Sequence, residues 1–320
     1  MRMPPLVRLM RPGDWVKNVF VLPALVFSLP RLLASDEHET FLRMLAATAT
    51  TFVAFSLLAS GFYAINDALD APSDRLHPVK RKRPVASGAV TVRLAVAFGL
   101  VLVAAALVLG FATGTGVGVV LAIYAGLQLL YNLGLKRVPI VDATVVSLGF
   151  ALRAAAGAMA IDVQVSVWLL LCVYFLCLFL AFVKRLCDIA AARAAGVAGW
   201  RSAAGYDDMV ELNWLLGLSA VPAVMTYLMY ALSAHARVLF GVRAIGLALL
   251  VPLVLIAMHR FYRRSLLGES DSPLAALLHD RVVLVSVLLY LVGTSVTLFA
   301  PGVEPLLSTL LMVAGQEEGP

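Results

Sequence analysis

Long apolar runs separated by short charged segments recur along the whole chain. A run of about 20 apolar residues, at 1.5 Å of rise per residue, is what a helix needs to cross roughly 30 Å of hydrocarbon. Nine such runs are expected as transmembrane helices: residues 18–34, 42–65, 91–111, 116–133, 140–160, 165–183, 210–232, 238–258 and 282–301. Pro23 lies in the first and Pro252 in the eighth. Kinks are expected at both, because neighbouring helices in a membrane can satisfy the carbonyls that a proline frees. No stretch is left for a soluble domain, so the expectation is an all-α membrane protein forming a single transmembrane domain over 1–320. The basic start MRMPPLVRLMRPGDWVKN is read as retained, since the apolar run after it is long and lacks a small-residue cleavage site.

Composition agrees with the pattern: 62% of the residues are hydrophobic and 14% charged, with a mean hydropathy of +0.94. Charge distribution adds an orientation. Most of the 25 Lys and Arg fall in alternate connecting segments, among them Arg8, Arg11, Lys17, Arg75, Lys80 to Arg83, Lys136, Lys184, Arg185 and Arg260 to Arg264. The opposite side holds Arg31, Arg43, Arg237 and Arg243. The positive-inside rule then places the N-terminus in the cytoplasm of a plasma (inner) membrane and, with nine crossings, the C-terminus outside. The basic balance needs no nucleic acid to explain it. Cys172, Cys177 and Cys187 offer neither a disulfide framework nor zinc spacing.

One connection is unusual. Residues 62 to 83 read FYAINDALDAPSDRLHPVKRKR. Asn66, Asp70 and Asp74 are four apart, so on a helix they form one stripe with neighbours about 6 Å apart along the axis. Asp67 points elsewhere in that reading, and Pro72 is expected to bend the stripe between Asp70 and Asp74. Two or three oxygen ligands cannot enclose Mg²⁺, but Mg²⁺ takes one or two carboxylates together with waters and substrate phosphates. The pattern therefore suits a metal brought in with a diphosphate. Arg75, His77, Lys80 and Arg83 follow within a few residues and add phosphate-type ligands, whereas Arg81 and Lys82 are read as topology signals.

These residues carry a resemblance. N-D-x-x-D-x-x-x-D-R, here Asn66, Asp67, Asp70, Asp74 and Arg75, resembles the first aspartate-rich motif of the UbiA superfamily of intramembrane prenyltransferases. HPVKRKRPVASG, from His77 to Gly88, looks like its decaprenyl-phosphate phosphoribosyltransferase branch. RPGDWVKN (Arg11 to Asn18), YNLGLK (Tyr131 to Lys136), GFALRAAAG (Gly149 to Gly157) and FVKR (Phe182 to Arg185) are further matches in the same order. The resemblance runs from about residue 8 to 206; the last third is similar in hydropathy alone. It implies a bundle around a central cavity opening to the cytoplasm, with active-site loops 66–88 and 184–209. It also implies Mg²⁺-dependent transfer of phosphoribosyl from phosphoribosyl diphosphate to a polyprenyl phosphate lipid, releasing diphosphate, for cell-envelope glycans. One departure is visible: the second aspartate-rich motif of aromatic prenyltransferases is replaced by KRLCD, with Asp188 in its place.

The remaining candidates are weighed singly. Arg153 lies inside a span, where a charge costs roughly 2.5–3.5 kcal/mol on insertion scales; it is read either as a phosphate or substrate contact or as a buried ion pair with another helix. Asp142, eleven residues earlier, shares its face at about 16 Å, too far for direct pairing. Snorkelling explains Lys17 and Lys136, and the resemblance alone makes Lys17, Asn18, Tyr63, Tyr131 and Lys136 candidate substrate contacts. Lys184, Arg185 and Asp188 read as a second phosphate or metal site or as a surface ion pair. Residues 190–206 are a cover for the site, with Arg201 and Tyr206 as contacts, or a mere connector. Homo-oligomerisation is left open. The rival enzyme reading is a prenyl diphosphate to aromatic prenyltransferase; a transporter is disfavoured because the charges gather at one membrane face rather than the midplane.

Overall fold

The computed structural model describes residues 3–34, 38–76, 80–196, 202, 204–268 and 279–309. Among them every regular element is helical. After α1 (Pro5–Met10) comes a 3-10 segment, Pro12–Val21, then α2 (Pro23–Ala34), α3 (His38–Leu69) and the short α4 (Ala71–Leu76). Next are α5 (Val92–Thr113), α6 (Thr115–Leu133), α7 (Val141–Ala160), α8 (Val167–Ala194) and α9 (Met209–Leu232). Last come α10 (Ala234–Phe240), α11 (Arg243–Ala248), α12 (Val251–Leu266) and α13 (Arg281–Phe299).

Among the described residues eight spans are long and apolar enough to cross a membrane: α3, α5, α6, α7, α8, α9, Arg243–Leu266 and α13. They answer eight of the nine expected runs. The other, 18–34, is divided: Pro23 opens α2 where the 3-10 segment has just ended, so neither piece reaches a full span alone. The expected kink at Pro252 is also present, as a break between α11 and α12 with the proline in the first turn of α12, where its missing N–H is harmless. Side-chain caps fix several starts: Thr91, Ser166, Asp208 and Asp280 each accept from the first turn of the helix that follows. The outer faces are apolar, with Val108 68% and Val221 64% exposed, while Asp67, Asp74, Asp142 and Arg153 are buried. That inversion suits hydrocarbon rather than water.

The chain divides into two compact units, one of residues 1–136 and 148–165, the other of 137–147 and 166–320, with the division falling inside α7. In the first, Phe55, Leu58 and Phe62 of α3 pack with Ala106 of α5 and with Val117, Leu121 and Tyr124 of α6. α3 and α5 touch through their backbones: a Cβ on Gly61 would stand 2.7 Å from the Gly99 carbonyl oxygen, and one on Gly99 2.8 Å from that of Gly61. This close crossing fixes the end of α3, where the acidic residues sit. In the second unit, Phe179, Phe182 and Leu186 of α8 pack with Leu212 and Leu216 of α9, Met258 and Phe261 of α12, and Tyr206.

Candidate functional site

The acidic residues lie at the bend between α3 and α4. The backbone ladder crosses the bend, since Asp70 N–H donates to the Asn66 carbonyl (2.8 Å) and Asp74 N–H to that of Asp70 (2.9 Å). Pro72 is the second residue of α4 and, having no N–H, donates nothing to that ladder. Asn66 and Asp70 meet as their spacing predicts: Asn66 Nδ2 donates to Asp70 Oδ2 at 3.0 Å. Lys136 joins them, its Nζ 3.4 Å from Asn66 Oδ1 and 3.5 Å from Asp70 Oδ1.

Asp74 takes a different partner. Arg83 Nη1 is 2.7 Å from Asp74 Oδ2 and 3.3 Å from Asp67 Oδ1, so one guanidinium bridges two carboxylates seven residues apart. Arg11 Nη2 reaches Asp67 Oδ1 at 2.5 Å, and its guanidinium lies 4.7 Å from the ring centre of Tyr63. Arg11 has φ of 51°, a left-handed backbone that costs energy outside glycine. Arg83 is delivered by the segment after α4, which is pinned in two ways. Arg8 Nη2 donates to the Lys82 carbonyl at 3.0 Å, and Val85 and Val90 are buried with Leu9, Ala64, Ala68 and Ala71. The site thus has a closed half, Asp67, Asp74, Arg83 and Arg11, and an open half, Asn66, Asp70 and Lys136, in which the Asp70 side chain is 33% exposed.

Elsewhere in the same unit Arg153 is buried and fully engaged. Its Nε donates to Asn18 Oδ1 (2.7 Å), Nη1 to the Gly149 carbonyl (2.7 Å) and Nη2 to Tyr124 Oη (3.0 Å). The rings of Tyr124, Phe55 and Phe150 surround it at 4.7, 5.2 and 5.4 Å. Among the described residues no carboxylate pairs with it. Of the two readings of Arg153, the ion pair is therefore not what the described residues provide; neutral acceptors and aromatic faces stabilise the charge instead. Asn18, in turn, donates to Ser56 Oγ at 2.9 Å and so aims its oxygen at Arg153. Lys17 is bound to Asp14 at 2.6 Å and is otherwise exposed.

The second unit has its own polar centre. Asp142 is fully buried; Arg185 Nη2 and Nε approach its Oδ2 at 2.9 and 3.2 Å, and Tyr206 Oη donates to its Oδ1 at 2.9 Å. Tyr206 Oη also accepts the Ile140 N–H. Ile140 has φ of 68°, a rare value for a β-branched residue. Burial, and then the adjacent Asp142 carboxylate, push the Tyr206 phenol above its ordinary range, so it stays a donor. Arg185 Nη1 stands 3.8 Å from Asp188. α8 runs on to Ala194, so Lys184, Arg185 and Asp188 project from a helix.

A model of the UbiA prenyltransferase family matches residues 20–278. The chain belongs to that family. A decaprenyl-phosphate phosphoribosyltransferase of Mycolicibacterium smegmatis is 36% identical over 229 residues, 71% of this chain and 70% of that one. One of Corynebacterium glutamicum is 36% identical over 234 residues, 72% of this chain and 68% of that one. Among solved structures, a UbiA homologue from Archaeoglobus fulgidus bound to GPP and Mg²⁺ superposes with a TM-score of 0.64 at 19% identity, covering 92% of this chain and 99% of that one; that likeness shows the fold.

As a UbiA family member this chain is a multi-pass membrane transferase. Its candidate residues are brought together in groups. Asn66, Asp67, Asp70, Asp74, Arg83 and Lys136 converge, with Tyr63 beside Arg11. Arg75 lies exposed on α4 and takes no part in these contacts; Lys80 and Lys184 are exposed and Tyr131 is half-buried. His77 and Arg201 lie outside the described residues. Sequence reasoning missed Tyr124 and Ser56, ordinary polar residues within apolar spans, and gave Arg11 no role beyond topology although RPGDWVKN contains it.

For a divalent metal, the donor set fits in part. Among the described residues no three His, Cys, Asp or Glu gather as a closed site. Asp70, Asp74 and Asn66 offer hard oxygen donors, which is what Mg²⁺ accepts when water and substrate phosphates complete its shell.

Proposed function

We propose that this UbiA family member transfers a 5-phosphoribosyl group from phosphoribosyl diphosphate to a polyprenyl phosphate of about decaprenyl class. The observation that carries the reading is the alternation of acids and bases in the first unit, Asp70, Asp74 and Asn66 beside Arg83 and Lys136. The relatives named decaprenyl-phosphate phosphoribosyltransferase support it.

The donor C1–O bond breaks, diphosphate leaves with the electron pair, and an oxygen of the lipid phosphate forms the new bond at C1. No side-chain nucleophile is needed. Mg²⁺ held by Asp70 and Asp74, with Asn66, would supply Lewis-acid stabilisation of the departing diphosphate. Lys80 and Arg83 anchor donor phosphates, and Lys136 is in place to offset charge beside Asp70. Lys17 or Arg153 serves the lipid phosphate in this reading, with Asn18 and Tyr124 orienting Arg153. Asp142 is held by Arg185 and Tyr206 and acts as a positioning residue. The positive-inside pattern puts the donor side in the cytoplasm.

The test is label transfer in lipid nanodiscs, with radiolabelled phosphoribosyl diphosphate, polyprenyl phosphates of several lengths and Mg²⁺, and an EDTA control. Label reaching the organic phase with Mg²⁺ and not with EDTA is the expected result. No transfer with any lipid, alongside transfer from a prenyl diphosphate to an aromatic acceptor, overturns it.

A further inference from the structure

A groove on the second unit shares no residue with the polar groups described above. It has a volume of about 430 Å³ and lies among α8, α9 and α12. Its α9 wall runs from Asn213 through Gly217 and Val221 to Met225, positions spaced by four and therefore one stripe. Its α12 wall is Leu255, Met258, His259 and Tyr262. The lining is apolar except at one end, where Tyr262 Oη donates to Asn213 Oδ1 at 3.0 Å and His259 stands exposed.

Three features define an occupant. Twelve residues separate Asn213 from Met225, about 18 Å at 1.5 Å per residue, close to the roughly 15 Å of one hydrocarbon leaflet. A cation stands beyond the polar end: Arg263, one turn after His259 on α12, is exposed and has no partner among the described residues. Arg260 and Arg264 are turned to Asp280, and Glu211 falls on another face of α9, two residues before Asn213. Finally, the groove has room where a side chain is missing, since a Cβ on Gly217 would meet nothing within 4 Å.

We infer that this groove holds one acyl chain of an anionic membrane phospholipid, whose phosphate is received by Arg263 and His259. An apolar slot one leaflet deep takes the chain, and the unpaired guanidinium selects the head group. The site is independent of the transfer reaction, and its test contains no phosphoribosyl donor.

The purified chain is equilibrated with equal amounts of phosphatidylglycerol and phosphatidylcholine in mild detergent, and retained lipid is read by native mass spectrometry. One phosphatidylglycerol retained in preference is expected. Arg263→Gln lowers that preference about fivefold, the contribution of one arginine near a charged head group, and Arg263→Lys keeps most of it. Gly217→Phe fills the groove and removes retention of both lipids with an unchanged melting temperature. Equal retention of the two lipids, or undiminished retention by Gly217→Phe, overturns the inference. So does displacement of the phospholipid by one equivalent of polyprenyl phosphate, or a dimer mass that Gly217→Phe abolishes.

Discussion

Replacing Arg83 with Gln removes a side chain that touches both Asp67 and Asp74, whose side chains are 2% and 4% exposed. Breaking a buried pair costs about 3–5 kcal/mol, because the surviving charge is left in low dielectric. Two features reduce that here. Arg83 is itself 27% exposed, so water repays part of the loss, and Asp67 keeps Arg11. The expected cost is about 2 kcal/mol, carried by Asp74, and at 2–4 °C per kcal/mol it lowers the melting temperature in detergent by about 4–8 °C. The partner variant Asp74→Asn removes the stranded charge, so the double variant recovers part of the loss and the cycle gives a coupling of about 1–2 kcal/mol. Arg75→Gln, beside Asp74 but exposed, is the control and stays within about 0.5 kcal/mol of the parent. A coupling below about 0.5 kcal/mol, or Arg83→Gln melting like the parent, would refute the bridge.

Asp70 is the accessible carboxylate of the cluster, so Asp70→Asn should lower transfer activity at least about a hundredfold while leaving the melting temperature nearly unchanged; full activity would remove it from the metal role. Tyr206→Phe strips a donor from buried Asp142 and an acceptor from the Ile140 N–H, and should destabilise by about 1–3 kcal/mol in thermal melting. Gly61→Ala sets a methyl against the Gly99 carbonyl and should cost about 1–3 kcal/mol by the same assay. Asp280 is held at about 2: burial alone would raise it, but the Val283 N–H, Arg264 and Arg260 outweigh burial. A depressed carboxylate stabilises the fold above the unfolded value of 3.8 and loses that contribution as pH falls toward 2. Asp280→Asn should therefore melt lower than the parent at pH 6, with the gap narrowing between pH 4 and pH 2.

The spans were legible because membrane thickness dictates a length that a single sequence displays directly; α6, α7 and α9 lie within a residue or so of expectation. In the run 18–34 the kink expected at Pro23 is a full break, with a 3-10 segment before it and α2 after it, so a run that hydropathy reads as one is held as two pieces. α8 overran its expected end by more than two turns because Lys184, Arg185 and Asp188 looked like a loop by charge, whereas Arg185 is drawn along the helix to Asp142.

The acidic cluster divides along the same line between local and distant information. Helical periodicity alone pairs Asn66 with Asp70, and they are hydrogen-bonded. It also groups Asp74 with them and sends Asp67 elsewhere, yet Asp67 and Asp74 are joined by Arg83. The spacing of seven between those aspartates is two helical turns, as good a match to one face as spacing of four. What selects between the two stripes is the cation that reaches each, and Arg83 arrives only because Val85 and Val90 bury against Leu9 and Ala71. Arg11 comes from still farther away, 56 residues before Asp67. Charge pairing across such separations is set by apolar packing of the segments that carry the charges, so the pairing could not be read from the charged residues themselves. Arg153 shows the converse: spacing offers Asp142 and rules it out by distance, and the groups that hold Arg153 in place are Asn18, Tyr124 and aromatic faces. In low dielectric a dispersed set of neutral acceptors can stabilise a guanidinium without a carboxylate, and such a cation keeps its net charge for a ligand that brings its own negative one.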